Sequence, residues 1–144
     1  MVLRLPYIAA DETATSLMPY LPLTLGLGSR TTDVLGLLDT GSAVNILPYP
    51  VGLALGAVWE QQPTRVPLVG SLGHAEARAL VTLASHPDLT PRAPVRLVFA
   101  WTQVEDAPVV LGQVNFFMEF DLCFYRSDAT FEIRRRQGEP SATR

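Results

Sequence analysis

The stretch GLLDTGSAVNILP, residues 36–48, carries an apolar run straight into a carboxylate and then turns the chain at once. Ionised aspartate is a poor strand residue and resists burial. The residues before it, VLGLL at 34–38, have the continuous apolar character of a strand buried on both faces. Asp39 therefore ends a strand at a place where a charge is out of keeping with what precedes it, and the fold and function both turn on why it is there.

Outward from that point the chain reads as many short strands. Residues 21–27, LPLTLGL, alternate as a half-buried strand does, and SRTTD at 29–33 reads as a turn. PYPVGLALG, 48–56, predicts a short helix that starts on proline and is capped by Gly56, with Gly52 weakening its interior. VPLVGSLGHAEARALVTL, 66–83, predicts two strands around a glycine-tipped turn. A proline-rich loop leads to a strand at VRLVFAW, and APVVLGQ is a third buried run that ends in glycine. VNFFMEF, 114–120, has the mixed three- and four-residue spacing of a short helix. DLCFY and TFEI read as a hairpin, with Cys123 as a small core residue and Trp59 and Trp101 as packing residues. The sum is a mainly β domain of about eight strands and one or two short helices.

Composition narrows the function classes. The chain has 144 residues, the length of one ordinary domain, and its 48% hydrophobic content argues against disorder. A net charge of -3 sets up no strong field to recruit nucleic acid or a membrane surface. All eleven basic residues are arginines, and they are scattered except for Arg134, Arg135 and Arg136. With one cysteine there is no internal disulfide, and the N-terminus lacks the apolar core of a signal peptide, so the expectation is a soluble cytoplasmic protein. His74 and His86 read as solvated loop residues, and two histidines without an acidic pattern make no metal site.

Asp39-Thr40-Gly41 is the signature tripeptide of aspartic peptidases. Alone it is weak, since about a few per cent of chains this long contain it by chance. Its context is more specific. VGSLGH follows at 69–74, and Val110-Leu111-Gly112 leads into a helix near 114–120. In order and rough spacing over residues 21–133, this arrangement resembles the retropepsin family, the retroviral-type aspartic peptidases and their bacterial relatives. The resemblance implies a retropepsin-like acid protease closed barrel, one lobe per chain, that needs no metal or cofactor. It implies a domain at 21–133 and an N-terminal segment 1–20 able to supply a dimer strand, while the polar composition of 134–144 reads as a disordered tail. Segment 1–10 and the chain after 133 are both candidates for inter-subunit strands. Gln113 stands where retroviral members often carry arginine, which removes the usual ion pair behind the site.

The chemistry is arguable from the residues. Hydrolysing an amide with water needs a base to activate the water and an acid to protonate the leaving group. Two carboxylates sharing one proton supply both, because like charges a few ångströms apart do not both ionise. This chain has one Asp-Thr-Gly; SDAT at 127–130 holds Asp128 but no following glycine. A second copy must then donate its own Asp39, so a peptidase reading entails a homodimer. The resemblance further implies that Thr40 bonds across the dimer and holds the two turns rigid, while Gly41 leaves room beside the carboxylates. The Ser42 hydroxyl donates to a carboxylate and favours an acidic optimum. Leu68, Val69, Gly70, Ser71, Leu72 and Gly73 form a flap over an extended peptide, and Val110, Leu111 and Gly112 lie behind the site. The alternative is a non-catalytic dimerisation or peptide-binding module on the same fold.

Overall fold

A computed structural model describes residues 1–136. The first hairpin sets the barrel's curvature. Strand β2 (Tyr20–Leu27) turns through Gly28 and Ser29 into β3 (Arg30–Leu38), with Leu27 opposite Arg30. Gly28 sits at φ +60, as a tight two-residue hairpin turn requires. The turn expected over residues 29–33 is therefore mostly strand. Thr31 and Thr32 are β-branched and suit a pleated surface, and a two-residue turn is enough to reverse the chain.

Six strands close a barrel in the order β2-β3-β7-β4-β6-β5, where β4 is Asn45–Leu47, β5 Ala77–Ser85, β6 Val95–Thr102 and β7 Val109–Leu111. Pairing of β5 with β2, from Thr24 opposite Ser85 to Gly26 opposite Leu83, seals it and leaves no free edge there. The barrel is filled by alternating side chains: Leu21, Leu23 and Leu25 from β2, and Leu97, Phe99 and Trp101 from β6 are all buried.

Helix α1 (Tyr49–Ala54) packs on this core through its glycine. The Trp101 indole lies against Gly52, where any added Cβ would collide with the ring. The residue that weakens the helix by propensity is thus the one that lets the indole seat. Tyr49 stacks on Trp101 at 5.5 Å and Trp59 meets it edge-on at 5.2 Å, so both tryptophans are packing residues as the sequence implies.

A second, three-stranded sheet has the order β1-β9-β8, from β1 (Leu3–Pro6), β9 (Thr130–Arg135) and β8 (Phe120–Tyr125), with helix α2 (Phe116–Glu119) leading into β8. The expected β8–β9 hairpin is present, and Leu3 of the N-terminal segment pairs with Ile133 within the same chain.

Three local expectations are corrected. Cys123 is exposed, on the edge strand β8, whose outer half no other described element covers. Strand β9 runs two residues past 133, into the expected tail, because Arg134 and Arg135 pair with Asp121 and Phe120 of β8; the rest of that tail, 137–144, lies outside the described residues. The first arm of the 66–83 hairpin is not a strand. Pro63 and Pro67 lack backbone N–H groups and interrupt a ladder. What remains is a single Arg65–Arg78 bridge, flanked by bonds from Val66 N to Ala77 O (2.9 Å) and Ala79 N to Thr64 O (2.8 Å), and a 3-10 turn at Gly70–Leu72. Among the described residues, no helix is long and apolar enough to cross a membrane.

Candidate active site

The barrel order places β7 between β3 and β4, parallel to β3 and antiparallel to β4. The chain leaving β3 must therefore cross the end of β7 to reach β4, and residues 39–44 make that crossing. Asp39 is its first residue. Its N–H donates to Leu111 O at 3.1 Å, continuing the β3–β7 ladder by one bond. Its Oδ1 accepts the Gly41 N–H at 2.8 Å, and its carbonyl accepts the Ser42 N–H at 3.1 Å. The carboxylate that ends the apolar strand is thus half-buried and anchored by the turn it starts.

The segment after β7 straps the crossing from beneath. Gln113 N donates to Ser42 O and Val114 N to Ala43 O, both at 2.9 Å. The Gln113 side chain donates to Thr40 O at 2.7 Å. Where an arginine is familiar in the retroviral pattern, a neutral amide here holds the backbone of the Asp-Thr-Gly turn directly. Gly112 is required by close approach: an added Cβ would lie 2.5 Å from Val44 O and 2.8 Å from Ser42 O, both backbone atoms.

A buried amide pair completes the support. Asn45 is 0% exposed. Its Oδ1 accepts the Gly112 N–H at 2.8 Å, and its Nδ2 donates to Val98 O and to Asn115 Oδ1, each at 3.0 Å. Asn115, at φ +80, accepts the Val98 N–H at 2.8 Å and donates to Arg96 O at 3.2 Å. Sequence reasoning missed this network. Its one local signal is an asparagine between Val44 and Ile46 in a strand.

Ser42 departs from expectation. Its hydroxyl donates to Val44 O at 2.7 Å, so it tightens the turn and is not the donor to Asp39; the Gly41 N–H is. Thr40 is exposed beside the carboxylate.

Asp39 opens into a cleft of about 510 Å³. Its floor is Asp39, Gly41, Ser42, Ala43, Val44 and Ile46, and its roof is Pro67 to Leu72. A third wall comes from Val104, Asp106, Ala107, Pro108 and Val110. The structure thus brings together the candidates Asp39, Gly41, Ser42, Leu68, Val69, Gly70, Ser71, Leu72 and Val110. Leu111 and Gly112 are buried behind the crossing, and Gly73 is exposed at the end of the 3-10 turn. The 104–108 part of the third wall was not visible in the sequence, because only the pairing of β7 with β3 carries those residues to Asp39. Val69 at the tip is 84% exposed, an apolar side chain free to meet a ligand. Among the described residues no three His, Cys, Asp or Glu side chains gather as a metal-ligand set.

No protein-family model and no curated protein sequence matches the chain. The structure is similar to that of a retropepsin-like aspartic protease from Rickettsia conorii, with a TM-score of 0.57 and 10% identity, over 92% of this chain and 91% of that one. At that identity the likeness shows the fold: a mainly β, retropepsin-like closed barrel with two short helices, one lobe per chain.

Proposed function

We propose that two copies of this chain form an aspartic endopeptidase. The observation that carries the reading is the setting of Asp39, a half-buried carboxylate anchored on a strapped turn at the floor of a mostly apolar cleft, within a retropepsin-like fold. One such carboxylate supplies a base or an acid, and amide hydrolysis uses both. Two Asp39 residues about a two-fold axis share one proton. The ionised one takes a proton from water as the water oxygen bonds to the scissile carbonyl carbon. The protonated one gives its proton to the amide nitrogen as the C–N bond breaks. Activity then belongs on the acid side of neutrality, where one of the two acids holds the proton. With the Ser42 hydroxyl engaged by Val44 O, that optimum rests on the shared proton alone.

The remaining parts take roles around this step. The exposed Thr40 bonds across the two turns. Residues 68–73 pair with the backbone of an extended peptide, as in strand addition, and exclude water when closed. The partners are a second copy of the chain and a peptide or protein substrate.

The test is cleavage of a peptide library across pH 3–8 by the wild type and by Asp39→Asn. The variant should lose at least about 10²–10⁴-fold in kcat/KM, and wild-type specific activity should fall on dilution as dimers dissociate. Equal cleavage by both proteins would refute the assignment. Peptide binding by both with cleavage by neither would make the chain a non-catalytic binding module.

A further inference from the structure

The cleft holds one charge that the proposed hydrolysis does not use. Asp106 lies in the linker between β6 and β7 and lines the third wall with Val104, Ala107 and Pro108. Apart from Asp39, every other residue lining the cleft is apolar, glycine or serine. No arginine or histidine lines it, and among the described residues no cation pairs with Asp106. Glu76, just before β5, is by contrast engaged, at 3.0 Å from Arg78 and 3.7 Å from Arg65.

We propose that Asp106 is a specificity-determining residue, and that the substrate class is an extended peptide with apolar residues and one arginine or lysine close to the scissile bond. The proposal rests on the peptidase reading. A bound peptide displaces water from the wall around Asp106. A guanidinium replaces that water with charge-assisted hydrogen bonds in bidentate geometry. A neutral side chain leaves the carboxylate partly desolvated and unpaired, and an acidic one meets like charge from both Asp106 and the catalytic pair. Selection therefore works by rejection as much as by attraction. A two-fold axis gives each half of the cleft its own Asp106, so a basic residue on either side of the cut satisfies it.

Matched peptides test this, with arginine, glutamine or glutamate moved through each position flanking one cleavage site. At the preferred position arginine should exceed glutamine in kcat/KM by about ten-fold, equivalent to about 1.4 kcal/mol, with glutamate lower still. The preference should shrink as salt rises from roughly 0.05 to 0.5 M. Asp106→Asn should bring the arginine-to-glutamine ratio close to one, and Asp106→Arg should turn it toward glutamate; thermal melts check that both variants fold. Equal cleavage of arginine and glutamine peptides at every position, or an arginine preference that survives in Asp106→Asn, overturns the proposal. If no peptide is cut, the peptidase reading fails separately, and fluorescence anisotropy of the same labelled peptides on Asp39→Asn still reads Asp106. There, equal Kd values for arginine and glutamine peptides overturn it.

Discussion

Replacing Asn45 by aspartate changes one side-chain atom and should make stability strongly pH-dependent. The carboxylate keeps the acceptor for the Gly112 N–H but loses both donors, leaving Val98 O and Asn115 Oδ1 facing it at 3.0 Å. Asn115 has no easy rotation to answer, because its own oxygen and nitrogen are committed to Val98 N and Arg96 O. Val98 O loses this donor while Asn115 Oδ1 keeps the Val98 N–H, and each buried hydrogen bond lost costs about 0.5–1.5 kcal/mol net. The protonated acid restores one donor, so in acid the loss is about 0.5–1.5 kcal/mol. Burial and two facing acceptors both disfavour the ionised form and raise the folded pKa of the new aspartate above the unfolded value of about 3.9. The stability held by the neutral acid is then complete below about pH 4 and is lost as pH rises toward the folded pKa, at about 1.4 kcal/mol per unit. A rise of about three units adds a loss of about 4 kcal/mol at neutral pH, a large share of the roughly 5–15 kcal/mol that holds a domain together. Urea unfolding of both proteins from pH 4 to 8 measures the difference, which cancels the wild type's own pH response. A gap that stays flat across the range, or under about 1 kcal/mol throughout, would refute the network's role.

Two further predictions use different readouts. Gly112→Ala puts a Cβ 2.5 Å from Val44 O, where an ordinary carbon–oxygen contact is about 3.3 Å, so the 39–44 crossing must shift by roughly 0.8 Å. Stability should fall by about 1–3 kcal/mol and peptide cleavage by about 10²-fold, and unchanged cleavage in a folded variant would separate the crossing from activity. The Tyr125 hydroxyl donates to Glu132 at 3.1 Å, and that bond, with the charge of Glu132 behind it, holds the phenol protonated above its usual range. Its contribution to stability is present below the unfolded pKa of about 10 and is lost as pH rises through the higher folded value. The difference in 295 nm absorbance between wild type and Tyr125→Phe should accordingly titrate above pH 10 or so, and a midpoint at or below that value contradicts the bond.

What the chain disclosed of itself depended on range. Asp39-Thr40-Gly41 at the end of VLGLL was legible because strand character and a terminal charge are local properties, and the same holds for the β8–β9 hairpin and for α1 with its Gly56 end. Cys123 was misplaced because alternation along a strand shows two faces without showing which of them another element covers. The apolar residues of the arm before Gly70 suggest a strand, but Pro63 and Pro67 decide backbone pairing there and leave a single bridge. The Asn45–Asn115 bond joins residues 70 apart, and the Asn45–Val98 bond residues 53 apart, so neither leaves a short-range pattern. Asp106 reads as an ordinary loop acid until the β3–β7 pairing brings its linker to the cleft.

The two sides of the cleft are built on unequal terms, and the difference bears on function. The floor is tied to β7 by the Asp39, Gln113 and Val114 backbone bonds, by the Gln113 amide and by the fully buried Asn45. The roof is tied at its root by two backbone bonds, and its tip presents exposed Val69. Regions with few buried contacts open at lower free energy than packed strands. A fixed floor under a readily opened roof suits capture of an extended peptide, whether or not the peptide is cut. Capture alone, however, gives no reason to keep a carboxylate at the centre of a mostly apolar floor, where a bound ligand would strip it of water at a cost no apolar residue incurs. A second copy of the same turn, facing it with one proton shared between the two acids, lowers that cost by halving the charge per carboxylate and giving the ionised one a hydrogen-bond donor. The peptidase reading thus accounts for the carboxylate and the single lobe together, which is why Asp39→Asn, leaving the cleft's shape intact, separates cutting from holding.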